Sequence, residues 1–95
     1  SLHELAALVC RARLVVCGDT GVAHLATAYR TPSVVLFGPV SPQHWGPPDD
    51  PRHIALWSGR RGDTFADQPD LGLLEITTAA VESAAQVLLE SEVRA

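Results

Sequence analysis

Apolar positions along the chain recur with two different periods. Leu2, Leu5, Ala6, Leu8 and Val9 follow the three- and four-residue spacing of a helix that buries one face. Ser1 and Glu4 stand where a capping box places its hydroxyl and carboxylate, each able to satisfy a free amide at the helix start. This helix is predicted to end near Arg11, whose cation suits the negative end of a helix dipole. Leu14-Val15-Val16-Cys17 is a short unbroken apolar run, the pattern of a strand buried on both faces. A second helix is predicted over 21–30, with Val22, Leu25, Ala26 and Tyr29 on its core side. Pro32 disfavours helical backbone at Thr31 and stops it there. Val34-Val35-Leu36-Phe37 forms a second apolar strand, and His53-Ile54-Ala55-Leu56-Trp57 a third. Between them, residues 38–51 carry five prolines, which forbid both helix and ladder, so a long ordered loop is expected. Residues 58–70 are polar and read as another loop. Thr77 is placed to cap a last helix, with Ile76 and Val81 positioned as a hydrophobic staple. Val81, Ala84, Ala85, Leu88 and Leu89 form its inner face.

Helices and strands therefore alternate over short connections. That order predicts a βαβ unit preceded by a helix, hence a parallel sheet with right-handed crossovers. The expected fold class is α/β, part of a Rossmann-like parallel-sheet domain. Three buried parallel strands need cover on both faces and neighbours on each side. Alone they would leave an apolar edge exposed. Residues 1–95 are thus expected to be a single partial domain, the latter portion of a larger α/β unit.

Composition narrows the picture. Ninety-five residues allow one modest core, and an apolar content of 46% argues against disorder. The net charge is −4, with seven arginines and no lysine, and no basic stripe suggests a nucleic-acid surface. No apolar run approaches the ~20 residues of a membrane span, and no signal-peptide pattern is visible. Cys10 and Cys17 sit among apolar neighbours and read as reduced, buried thiols. The expected location is cytoplasmic, including the inner face of the membrane.

The chemistry concentrates at Gly18-Asp19-Thr20-Gly21, where the first strand meets the second helix. Ligands of open parallel sheets bind at the carboxyl ends of strands. A helix start adds free amides and a positive dipole end, which attract anions. Gly18 and Gly21 allow tight turning and close approach of a ligand to the backbone. Thr20 can cap the helix or bond a phosphate oxygen. The implied ligand is a phosphate or diphosphate. Asp19 repels phosphate, so it either meets another part of the ligand, such as sugar hydroxyls, or serves as a plain N-cap. His24 projects away from the expected core face, either into the ligand cleft or into solvent. Ser41, Gln43, His44 and Trp45 lie at the same sheet edge and either line the cleft or pack the loop. Arg60 and Arg61 could meet a phosphate but fit a solvated loop equally well. His3, Asp63, Asp67 and Asp70 form no metal-binding constellation, and no metal is expected.

The stretch "GDTGVAHLATAYRTPSVVLFGPVSP" resembles the signature of glycosyltransferase family 9, the heptosyltransferases that act on lipopolysaccharide. That signature is an acid-hydroxyl-Gly-Pro-x-His-Leu-Ala segment, then a proline-led strand ending in Phe-Gly-Pro. Here Val22 stands where the family usually has proline. Upstream, "SLHELAALVCRARLVV" resembles the family's Ser-Leu-x-Glu-Leu-Ala helix, and "LLEITTAAVESAAQVLL" is similar to its closing helix. The resemblance implies the C-terminal half of a GT-B type glycosyltransferase, with this chain in its donor-binding part. It implies inverting transfer of a heptose or related sugar from a nucleotide diphosphate, ADP-linked, to a glycan or lipid-linked acceptor. Thr20 and Gly21 would hold the diphosphate, while Asp19 and His24 would contact the donor sugar or its phosphate. No cofactor beyond the donor substrate is implied.

The resemblance also implies what is missing. The family's general base and acceptor site lie in the N-terminal half, and its phosphate-binding lysine and ribose-binding glutamate precede this segment. No catalytic residue is therefore assigned within residues 1–95, and the chain is expected to be inactive alone. Two rivals stand beside this reading. Asp-Thr-Gly also occurs in retroviral-type aspartic proteases, where a strand follows the triplet. A non-catalytic nucleotide-sugar-binding or interaction domain is the other.

Overall fold

The computed structural model describes residues 1–18, 20–38, 41–42, 46–47, 50–59 and 71–94. Its elements are α1 (Leu2–Arg11), β1 (Val15–Gly18), α2 (Gly21–Ala28), β2 (Ser33–Phe37), β3 (His53–Trp57), α3 (Leu71–Leu74) and α4 (Thr78–Arg94). The strands form one parallel sheet in the order β1-β2-β3. This is the expected α/β, Rossmann-like arrangement. The short helix α3 lies in a stretch whose sequence carries no helical period.

The caps behave as their sequences predict at two starts. The Ser1 hydroxyl accepts the Glu4 amide at 3.2 Å and donates to the Glu4 carboxylate at 3.1 Å. Thr77 Oγ1 accepts the Ala80 amide at 3.1 Å ahead of α4. The end of α2 departs from expectation. The helix stops at Ala28, and Arg30 takes a left-handed conformation at φ 58°. The Arg30 and Thr31 amides then reach back to the Thr27 and Ala26 carbonyls at 3.2 and 2.9 Å. This is a Schellman closure with arginine where glycine is usual, an L-residue conformation that costs about 1 kcal/mol. Pro32 follows the break rather than making it.

β2 lies at the centre, and its alternating side chains build two cores. Val35 and Phe37 pack with Ala23 of α2, joined by Cys17 and Trp57. Val34, on the other face, packs with Ala84 and Leu88 of α4, joined by Leu14, Leu36, Ile54 and Leu56. The predicted inner face of α4 is thus observed, with Val81, Ala85 and Leu89 half-buried at its flanks. Small Ala23 and Ala26 let α2 approach the sheet closely.

Three burial expectations are corrected. β1 is an edge strand, so it is not buried on both faces; Val16 is 48% exposed because α4 centres on β2. On α1 only Val9 is buried, while Leu2 and Leu8 are exposed. Cys10 is exposed and Cys17 only half-buried, so neither is a fully buried thiol. α1 faces α2 rather than the sheet, and one helix cannot cover a whole leucine face.

The N-terminal edge of the sheet is tied by buried polar groups. Thr31 Oγ1 donates to the Val9 carbonyl at 2.8 Å, joining the end of α2 to the end of α1. Ser33 Oγ and His53 Nδ1 lie 2.8 Å apart across β2 and β3, both buried. Burial holds the His53 imidazole below its ordinary value of 6.5; the Asp50 carboxylate opposes this and the Arg52 cation adds to it. The unfolded chain binds a proton near 6.5 that the folded chain takes up only at lower pH, so stability rises with pH across that window. The contribution is present above the unfolded value and is lost as pH falls through it. Urea midpoints are expected to drop between pH 7.5 and 5.5, and less so in His53→Gln. An equal drop in that variant would assign the dependence to other groups.

Candidate functional site

β1 delivers the chain at Gly18 to its carboxyl end, and α2 begins three residues later. Thr20 is the N-cap, with extended backbone at φ −139° and ψ −179°. Its hydroxyl makes no capping hydrogen bond, so of the two roles open to it in the sequence, capping is not taken up. Its carbonyl accepts the Ala23 amide at 3.0 Å. The Gly21 and Val22 amides precede any intrahelical acceptor and face outward along the helix axis by geometry. Asp19 lies outside the described residues.

The two glycines serve by what they leave empty. Neither Gly18 nor Gly21 has a positive φ, so the turn does not use their conformational freedom. A Cβ at either would meet no heavy atom within 4 Å. Left-handed backbone is therefore not what these glycines supply, and open space beside the backbone remains.

The buried stripe of α2 is rotated from its predicted position. Ala23 and Ala26 face the core, Val22 and Leu25 are half-buried, and Tyr29 is 46% exposed. The period alone marked an apolar arc, and larger side chains drew the assignment; close packing against the sheet selects the two alanines instead. Val22 and Leu25 are thereby released to a groove of about 460 Å³, lined with Leu2, Leu5, Thr20, Gly21 and His24. Leu2 and Leu5 of α1 are site residues that the sequence reading placed only in the core. His24 is exposed, as its placement away from the packed face predicts, and it is the one titratable side chain among the described residues of this groove.

His24 also lines a smaller hollow of about 60 Å³ with Ala23, Thr27, Val35, Phe37, Gly46 and Pro47. Gly46 and Pro47 are its lining residues from the segment after β2. The Gly46 amide donates to the Pro42 carbonyl at 2.7 Å, and a Cβ on Gly46 would run into that carbonyl. Trp57 Nε1 donates to the Gly38 carbonyl at 3.2 Å and ties the start of the same segment to β3. Ser41 is buried at 1% exposure, so it packs the loop rather than lining an open cleft. Gln43, His44, Trp45, Arg60, Arg61, Asp63, Asp67 and Asp70 lie outside the described residues. Among the described residues no group of three or more His, Cys, Asp or Glu could hold a metal ion. None of their helices is long and apolar enough to cross a membrane.

A parallel sheet with a helix start and a groove at its carboxyl end defines a Rossmann-like α/β unit. The α2 helix directly after the Asp-Thr-Gly triplet excludes the all-β aspartic-protease reading. The sequence family model of glycosyltransferase family 9 (heptosyltransferase) matches residues 1–71, and the chain belongs to that family. Lipooligosaccharide heptosyltransferase 2 of Haemophilus influenzae is 38% identical over 50 residues, 53% of this chain and 14% of that protein. Lipopolysaccharide heptosyltransferase 1 of Salmonella typhimurium is 43% identical over 42 residues, 44% of this chain and 13% of that protein. The chain therefore spans only a small part of the length of these relatives. No solved structure matches it.

Proposed function

We propose that residues 1–95 are the latter portion of the donor-binding half of an inverting glycosyltransferase. The whole protein would move a heptose or related sugar from a nucleotide diphosphate, ADP-linked, to a glycan or lipopolysaccharide acceptor. The supporting observation is the start of α2: free amides at Gly21 and Val22, an uncommitted capping role at Thr20, and His24 on the rim of a groove at the end of β1. Diphosphate oxygens suit the amides and the positive helix end. His24 can donate a hydrogen bond to the bridging oxygen that leaves with the nucleotide, and Asp19 can bond sugar hydroxyls. The nucleotide sugar is a substrate in this reading, and no further cofactor is invoked. Acceptor and general base belong to the rest of the protein, which works at the cytoplasmic face of the membrane. Residues 1–95 alone bind donor without turning it over.

Titration of the full-length protein with ADP tests the site. Amide shifts are expected to cluster at residues 18–24. Shifts confined elsewhere, or none at millimolar ADP, would remove the assignment. Saturable binding without turnover across nucleotide sugars and acceptors would favour the non-catalytic domain.

A further inference from the structure

The small hollow beside His24 has no role in holding a diphosphate. It measures about 60 Å³ and shares His24 with the groove as a common wall. One water needs about 10–15 Å³ of such space, and an apolar cavity of about 150 Å³ accepts a benzene ring. The hollow therefore excludes any six-membered ring, nucleobase or pyranose, but admits a short chain of a few atoms. Its walls are Ala23, Val35, Phe37 and Pro47, and the Thr27 hydroxyl is already committed to the Ala23 carbonyl at 3.2 Å. Among the described residues, such walls hold no arginine or lysine and no helix start to offset a phosphate's charge, so they suit a neutral group better. His24 is the one side chain in the lining with a free polar function. On the loop side, the Gly46 amide of the lining is held by the Pro42 carbonyl.

We propose that this hollow receives the exocyclic carbon branch of the transferred sugar, and that Thr27 and Val35 set the branch length the site accepts. The inference rests on the donor-site reading above. Carbon–hydrogen surface of the branch packs on Ala23, Val35 and Phe37, and its hydroxyl meets His24. Thr27 and Val35 are specificity-determining residues and take no part in bond breaking.

Dissociation constants of the full-length protein for ADP and for ADP-linked pentose, hexose and heptose test this. These sugars carry zero, one and two exocyclic carbons. Thr27→Leu fills the hollow. It should weaken hexose and heptose donors at least 10-fold, while ADP and the pentose donor stay within twofold. Val35→Ala widens the hollow and should narrow the difference between hexose and heptose donors; it decides the matter if Thr27→Leu does not fold. Equal weakening of all four ligands, or no change in any, would overturn the proposal. If the unsubstituted protein does not bind ADP, the donor-site reading fails instead.

Discussion

In the full-length protein, His24→Ala lowers kcat/KM for the sugar donor about 100-fold and leaves the unfolding midpoint where it was. Both halves of this expectation come from position. His24 is exposed and packs in neither core cluster, so its loss should change stability by no more than about 0.5 kcal/mol. It stands on the groove rim next to the start of α2, where, in the proposed reaction, the leaving diphosphate would gain charge. Removing one positioned donor from such charge typically slows the reaction about 100- to 1,000-fold. His24→Gln, which keeps a donor, should recover part of the loss. Asp19→Ala should lower turnover comparably, through the sugar hydroxyls rather than the phosphate. Steady-state kinetics beside urea denaturation checks the set. A loss of rate that tracks a loss of stability would assign His24 to the scaffold.

Phe37→Ala carries the largest expected effect on the fold, a destabilisation of about 3–5 kcal/mol. Among the described residues Phe37 is the largest fully buried side chain, at 1% exposure, and it closes β2 against Ala23 of α2. A small domain holds only about 5–15 kcal/mol in all. The variant should therefore be unfolded or close to it, and donor binding should vanish with the fold. Circular dichroism against urea measures this. A midpoint shift equivalent to less than about 2 kcal/mol would mean that the cavity collapses easily and that Phe37 is not the keystone of this face.

The fold was largely legible because its signals are local. Apolar runs and proline positions placed β2 and β3, and hydroxyls at Ser1 and Thr77 placed two helix starts. Burial was less legible, since it depends on what each element meets in space. Val16 and Val34 are both strand valines paired in register, yet one is 48% exposed and the other fully buried. Only the sheet order separates them. The Ser33–His53 pair spans 20 residues and follows from register, which no local pattern encodes. The same holds at the site. The strand end and helix start that make up the proposed anion-binding corner could be read from the apolar run and the small-residue helix pattern on either side of it. The groove could not, because its Leu2, Leu5, Val22 and Leu25 look like core residues until two alanines occupy the core side of α2.

The bond between Thr31 and the Val9 carbonyl has a consequence for the opposite end of the molecule. α1 and α2 both begin at the groove and both finish at that bond. The pair acts like tweezers joined at the base, with Leu2 and Leu5 on one tip and Gly21 and Val22 on the other. Spacing between the tips is governed where the arms join. Thr31, which lines no part of the groove, is thereby placed to influence how wide its mouth stands, and loosening that join would be expected to blunt donor recognition at the proposed site.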